Sequence, residues 1–515
     1  MVKPVKAVVI VGGGTAGWLT AGTIAARLQA RMKAGGFSVT LIESPDIRAI
    51  GVGEGTWPTL RSTLEGIGVS ETALFRECDA AFKQGGKFVG WTTGREGDSY
   101  YHPLMVPQGF SRVNLVPHWL HGGQGASFCD FVTPQGRLCD EGLAPKTITH
   151  GEYRAVANYS YHLDAGKFGP FLAKHCIENL GVRHVLADVG RVNQDESGDI
   201  VSVETTQAGE VRGDLFVDCS GFSALLIGKT LGVGFKECGD ILFCDTALAV
   251  QVPYGEPQEP MASQTIATAQ DAGWIWDICL PTRRGVGYAY SSRHTSEEAA
   301  QETLLRYIGS QHQDCPVRKI PIRAGHREIF WKNNCLAVGL AQGFLEPLEA
   351  SAIVLVELSA KLLAERMPAC REVMDIVARH FNEVTAYRWG RIVDFLKLHY
   401  VLTQRTDTAF WRDNADPATV PERLKDMLTL WKYQSPWFFD ELDRLEEVFP
   451  AASYQYVLYG MGFRTEVMPE DMADSAADAM KLVQENARMS AELCTRLPRN
   501  RELLNKIYQY GLQPV

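Results

Sequence analysis

Gly12, Gly14 and Gly17 follow the apolar run Lys6-Ala7-Val8-Val9-Ile10-Val11 with Gly-x-Gly-x-x-Gly spacing. After such a strand, the first glycine allows a tight turn and the second lets a pyrophosphate approach the backbone. The third lets helix and strand pack closely. A helix opening at Thr15 and Ala16 would present amides and a partial positive charge to that anion. Glu43 ends a second apolar strand, Ser38-Val39-Thr40-Leu41-Ile42-Glu43, where a carboxylate can hold ribose hydroxyls. Strand, helix and strand form a β-α-β unit, and together these residues predict a dinucleotide cradle.

Three later segments lengthen the ligand that this cradle implies. Ile50-Gly51-Val52-Gly53-Glu54-Gly55-Thr56 is a second glycine-rich loop just beyond Glu43. Asp218-Cys219-Ser220-Gly221 ends one later strand, and Val338-Gly339-Leu340-Ala341-Gln342-Gly343 ends another and leads into a helix. Repeated returns to one elongated cofactor favour FAD over NAD.

The elements that must position these residues can be read coarsely. The pattern is helical from about 60 to 90, and Gly-, Pro- and aromatic-rich from about 90 to 165, which suggests long loops. Short strands follow over 184–218, then sheet over 240–292 and a buried strand at Cys335–Leu340. From about 352 onward the periodicity is mostly helical. We expect an α/β, monooxygenase-like FAD-binding core over residues 1–355. A mostly helical region over 356–515 should cover a substrate pocket and share that core.

The 515 residues are 45% hydrophobic and 22% charged, as in a globular protein, and carry a net charge of −10. That charge argues against a broad nucleic-acid surface. Twelve scattered cysteines without paired spacing argue against a zinc knuckle or a disulfide framework, and no metal site is expected. Met1-Val2-Lys3-Pro4-Val5-Lys6 lacks the apolar core of a signal peptide, and no apolar run reaches membrane-spanning length, so the expected place is the cytoplasm.

Further segments carry a resemblance. They are Gly51-Val52-Gly53-Glu54, Ala81-Phe82-Lys83-Gln84-Gly85-Gly86-Lys87-Phe88-Val89-Gly90-Trp91, Trp274-Ile275-Trp276-Asp277-Ile278, and Asn333-Asn334-Cys335 through Glu349. With the cradle, they make the chain resemble the flavin-dependent tryptophan halogenases nearly end to end. The resemblance implies that reduced FAD and oxygen oxidise a halide to hypohalous acid, which crosses a tunnel to a lysine beside the substrate. Lys83 matches that lysine and Glu349 its partner carboxylate, with both expected to converge on the substrate. The amides of Ser351 and Ala352 match the halide site, an anion nest at a helix start. Trp274 and Trp276 match the wall between flavin and substrate. Flavin contacts are implied at Val52, Gly53, Gly55, Val189, Leu340 and Ile353. No nicotinamide fingerprint is visible, so a partner flavin reductase would supply reduced FAD. The family often forms homodimers, which this sequence does not decide.

General chemistry agrees with these roles. Lysine can hold hypohalous acid by a hydrogen bond or, if deprotonated by burial, form a haloamine. Glutamate can accept the proton that the halogenated ring loses. Against this, Lys83 lies in the stretch read as helical, with Lys87 four residues on, as a solvated face would have it.

The departures from the family pattern concern the substrate. Relatives acting on free tryptophan carry a Tyr-Tyr pair and a Glu that bind its amino-acid end, then a Phe-Trp pair against the indole. The matching segment runs from Ser435 to Arg444 and on to Val448-Phe449. Trp437 and Phe438 replace the tyrosines, Arg444 falls near the glutamate, and Val448-Phe449 replaces Phe-Trp. A cation in place of an anion would make a bound ammonium costly. His102 is retained, and Leu104 replaces an aromatic wall. The expected substrate is therefore indole or a larger indole-bearing molecule rather than free tryptophan.

Two motif departures concern the chemistry. Cys279 stands where the family has proline, and Ala350-Ser351-Ala352 replaces Ser-Thr-Gly. Ala352 cannot adopt glycine's positive φ freely, which would reshape the nest toward bromide over chloride. Two other functions share the cradle: an aromatic hydroxylase, which needs its substrate next to the flavin, and a non-catalytic FAD-binding protein.

Overall fold

Valine and isoleucine dominate the strand Ala7–Val11, and four of its five residues are buried, as a central parallel strand requires. In the computed structural model it pairs in parallel with Ser38–Glu43 on one side and Leu215–Asp218 on the other. The complete six-stranded sheet runs Trp331–Lys332, Cys335–Ala337, Leu215–Asp218, Ala7–Val11, Ser38–Glu43, Arg183–Leu186. Only the edge strand Trp331–Lys332 is antiparallel to its neighbour. The structure describes residues 3–46, 53–123, 125–256, 258–438, 447–468 and 470–514.

The chain forms two compact units, each from three segments. The first comprises Met1–Asp79, Leu163–Cys238 and Arg323–Trp389, and the second Ala80–His162, Gly239–Ile322 and Gly390–Val515. Every described element from Ser351 onward is helical, but the division into units does not follow that change near residue 355. The long helix Arg371–Val401 contributes to both units.

In the first unit, the helix Thr15–Arg27 packs along the helix Ser351–Glu365 and against Ala165–Glu178. One side of the sheet is sealed by Val9, Val11, Ile42, Phe216, Leu226 and their neighbours.

In the second unit a seven-stranded sheet is ordered Val317–Pro321, Thr246–Pro253, Arg283–Tyr290, Gly273–Cys279, Thr265–Gln270, Gly85–Val89, Ser99–Pro103. It is antiparallel throughout, except where Thr265–Gln270 meets Gly85–Val89.

The sequence reading holds for the strands over 184–218 and 240–292, but not over 60–90. Helices occupy Thr59–Gly66 and Glu71–Glu77, after which the chain turns extended at Ala81–Lys83 and Gly85–Val89. Two glycines and buried pairing partners override the helical spacing there. The stretch 90–165 also holds two strands, Ser99–Pro103 and Ser160–Asp164, and several short helices.

Candidate active site

Backbone geometry builds the cradle. Gly12 has φ 120°, and a Cβ there would lie 2.1 Å from the Cys219 carbonyl oxygen. A Cβ on Gly17 would lie 1.9 Å from the Gly12 carbonyl oxygen, so helix and turn touch directly. Gly14 caps the helix start, and a Cβ there would meet no described atom within 4 Å. That open face is where a pyrophosphate needs to approach, and the residues present fit the group. Thr15 and Ala16 open the helix, and the turn holding Leu340 closes on it, since a Cβ on Gly339 would lie 2.6 Å from the Ala16 methyl.

Glu43 ends its strand as expected, with its carboxylate 2.9 Å from His184 Nε2. Gly13 leaves room for that side chain, because a Cβ there would fall 2.2 Å from Glu43 Cγ. Neither His184 nor Gly13 was singled out in the sequence. Ile353 is buried in the helix packed on the cradle helix. Val189 is half-buried against the sheet's apolar cluster.

Gly53 and Gly55 lie in a short strand with Glu54 between them, while Val52 lies outside the described residues. Burial and the nearby Asp164 push the Glu54 carboxyl up to about 7. Asp218 serves the fold rather than a ligand: its carboxylate accepts from the amides of Ser220, Leu226 and Ile227.

The turn before Ser351–Glu365 is strained. Glu349 (φ 64°, ψ 5°) and Ala350 (φ 54°, ψ 43°) are both left-handed, and neither is glycine. Such residues cost about 1–3 kcal/mol each and persist where their surroundings fix them. Ser351 returns to right-handed geometry, and this left-right alternation turns successive amides toward one concavity. The Ala350 amide donates to the Pro347 carbonyl at 3.0 Å, which fixes the turn just ahead of Ser351 and Ala352. Ala352 lies inside the helix, so its lack of glycine's positive φ is immaterial. The positive-φ demand falls on Glu349 and Ala350 instead.

Below this turn, Glu357 is 3% exposed. It accepts from Thr59 Oγ1 at 3.3 Å and Thr63 Oγ1 at 2.6 Å. Burial pushes its carboxyl up to about 8, partly offset by the threonine hydroxyls. An acid within the apolar run Ile353-Val354-Leu355-Val356-Glu357 was the available sequence signal.

Lys83 belongs to the second unit. It ends the strand Ala81–Lys83 and is 6% exposed, so it is not the solvated helix residue that its spacing suggested. Lys87, by contrast, points to Asp140 at 2.7 Å. The next residue, Gln84, is pinned by bonds from its side-chain amide to the Leu143 carbonyl (2.7 Å) and Ser263 Oγ (3.1 Å). The strand pairs with Ser160–Asp164, Ala81 opposite His162 and Lys83 opposite Ser160. Lys83 and His162 are thus diagonal neighbours on one face. Burial and the Lys83 charge hold His162 well below its usual value, so it stays neutral.

Trp274 and Trp276 share one face of Gly273–Cys279, both buried, with ring centroids 6.1 Å apart. The Trp276 indole lies over Gly287 of the next strand, where a Cβ would fall 2.0 Å from its Cζ2. A glycine within a strand pattern was the signal for that close approach.

Two of the expected pocket residues, His102 and Phe449, meet through Phe395, which the sequence reading missed. Phe449 stacks on Phe395 with centroids 3.7 Å apart, and the His102 ring lies 5.7 Å from Phe395 on another side. Ser453 Oγ sits 2.9 Å from His102 Nε2. The same helix, Ala451–Gly460, sends Gln455 to the Pro436 carbonyl at 2.6 Å, which anchors the segment before Trp437. Trp437 donates its indole N–H to the Phe110 carbonyl at 2.6 Å, and Phe438 packs edge-on against the Phe110 ring. Leu104 is half-buried, its amide donating to Gln135 Oε1 at 2.7 Å. Glu447 is paired with Arg391 at 3.0 Å. Arg444 lies outside the described residues.

A family model for tryptophan halogenase matches residues 7–478. The chain belongs to the tryptophan halogenase family. This halogenase is similar to tryptophan 6-halogenase SttH of Streptomyces toxytricini, 34% identical over 88% of this chain and 89% of that protein. Its fold superposes on a tryptophan halogenase structure from Shewanella frigidimarina with a TM-score of 0.96. That match has 45% identity and covers 100% of this chain and 99% of the other. BrvH, a flavin-dependent halogenase from Brevundimonas sp. BAL3, matches with a TM-score of 0.85 and 33% identity, covering 98% and 99% of the two chains. The chain is a flavin-dependent halogenase, an oxidoreductase. None of the described helices is long and apolar enough to cross a membrane.

Proposed function

We propose that this halogenase transfers bromine or chlorine to an indole-type aromatic that lacks a free amino-acid end. The cradle of Gly12, Gly14, Thr15, Ala16, Gly17 and Glu43 would hold FAD, with Val52, Gly53, Gly55, Val189, Leu340 and Ile353 as further contacts. When bound and reduced, the flavin supplies the two electrons that, with oxygen, convert a halide to hypohalous acid. A separate flavin reductase would keep it reduced. The Ser351 and Ala352 amides would hold the halide, bromide by preference because the Ala352 methyl adds an apolar, polarisable neighbour.

Lys83 would hold the hypohalous acid by donating from its ammonium, which keeps the oxidant polarised toward its halogen. The indole carbon then bonds to the halogen as the halogen–oxygen bond breaks. The departing hydroxide takes a proton from the Lys83 ammonium and leaves as water. Glu349 accepts the ring proton, which is the one that restores the ammonium for the next turnover. The buried wall of Trp274 and Trp276 would keep the aromatic away from the flavin, which disfavours hydroxylation.

The observation that carries the substrate reading is the chemistry at Trp437 and Phe438. Where relatives acting on tryptophan place two phenols, this chain has an indole whose N–H is committed to the Phe110 carbonyl and a phenyl ring with no polar atom. Glu447, the first described carboxylate after that segment, is paired with Arg391. An ammonium would bring its desolvation cost without a partner among these residues.

Purified protein with FAD, a flavin reductase, NADH and bromide or chloride, offered indole, tryptophan and larger indoles, tests this by mass spectrometry. Halogen isotope doublets on indoles but not tryptophan are expected. Efficient tryptophan halogenation would overturn the substrate reading, and halide-independent hydroxylation would overturn the chemistry.

A further inference from the structure

The left-handed turn at Glu349 and Ala350 needs an external hold, and the structure contains one. The Trp57 indole N–H donates to the Glu349 carbonyl at 2.7 Å. On the other side of that peptide, the Ala350 amide donates to the Pro347 carbonyl at 3.0 Å. Both ends of the Glu349–Ala350 peptide plane are therefore fixed, one of them by a side chain almost three hundred residues away in sequence.

Trp57 is itself held. Its carbonyl accepts from the Leu60 amide at 3.0 Å, at the start of the helix Thr59–Gly66. That helix is tied to Ser351–Glu365 by Thr59 and Thr63, which both donate to Glu357. The frame thus grips one helix below the strained turn and reaches forward with an indole to the turn itself.

We propose that Trp57 is a positioning residue for Glu349: it holds the Glu349 backbone left-handed and so sets where the carboxylate points. This rests on the assignment of Glu349 above. An indole suits the task, because one rigid ring supplies a donor with few rotatable bonds to order. Non-glycine residues leave the left-handed region readily unless hydrogen bonds over-determine it.

Trp57→Phe keeps most of the ring volume and removes the donor. In its crystal structure, the Glu349–Ala350 peptide should rotate out of the left-handed region. Halogenated product per flavin oxidised should fall about tenfold, while the FAD dissociation constant stays within about twofold. Adding Ala350→Gly should restore much of the product yield, because glycine adopts that conformation without the clamp. A merely structural role for Trp57 would not show this rescue.

If the turn keeps its left-handed geometry in Trp57→Phe, the positioning role is overturned, whatever the turnover. If the turn is lost and product per flavin is unchanged, the positioning stands and the catalytic assignment of Glu349 fails instead. Should Trp57→Phe not fold, Thr63→Val loosens the same frame. A displaced turn with about a threefold lower yield would support the proposal, and an unmoved turn would overturn it.

Discussion

Apart from the Glu349 carboxylate, the chemistry proposed for the first unit is presented through the main chain, and that for the second through buried side chains. In the cradle and at residues 349–352, the groups that would face a ligand are amides, placed by missing Cβ atoms at Gly12 and Gly17 or by left-handed residues at Glu349 and Ala350. In the second unit an ammonium, two indoles and a row of aromatic rings stand on strands and helices with ordinary dihedrals. Main-chain sites tolerate almost no added volume, whereas side-chain sites can be retuned by substitution. The two should therefore fail differently: damage to the main-chain groups of the first should lose cofactor or oxidant, and damage to the side chains of the second should lose transfer or alter substrate choice.

Lys83→Ala should break the comparison most sharply. We expect halogenated product to fall at least about a thousandfold while FAD affinity, read from flavin fluorescence, is unchanged. Persistent halogenation would remove Lys83 from the chemistry. Gly17→Ala should show the converse failure, with FAD affinity weakened about a hundredfold because the new methyl meets the Gly12 carbonyl. Isothermal titration with FAD would measure it, and wild-type affinity would count against the cradle.

Gly287→Ala should have an intermediate effect. It must displace the Trp276 indole, at about 1–3 kcal/mol in stability measured by urea unfolding. Hydroxylated indole among its products would show that the displaced wall had let substrate reach the flavin.

A last expected effect, confined to stability, is a pH slope from Glu357. Its folded value of about 8 lies above the ordinary 4.5, so the protonated carboxyl favours the fold. That contribution is complete below about pH 4.5 and is lost as pH rises through about 8. Glu357→Gln, which cannot titrate, should gain stability relative to the unmodified enzyme as pH rises from 5 to 8. A constant difference between the two across that range would contradict the buried, protonated carboxyl.

The same contrast explains what was legible in the sequence. Glycine spacing reports backbone geometry locally, so Gly12, Gly14, Gly17 and Glu43 could be placed by counting along the chain. The strain at Glu349 and Ala350 carries no glycine and was misplaced onto Ala352. Lys83 looked helical because local spacing cannot register a strand whose partner, Ser160–Asp164, lies nearly eighty residues on. Trp57, His184 and Phe395 were missed for one reason: each acts on a distant segment, and only tertiary packing brings donor and acceptor together.

The interleaved units also bear on how this enzyme can be made. The first unit is complete only once Trp389 has been synthesised, since that indole lies against His326 and Trp331 packs on Phe381. A fragment cut at residue 355 would keep every residue proposed to hold the cofactor yet leave those rings bare, and would be expected to aggregate. On the ribosome, the first unit can be complete while the last segment of its neighbour, Gly390–Val515, is still untranslated. With the proposed site residues, nascent chains would pass through a stage that holds the cradle but not yet every residue proposed for the substrate.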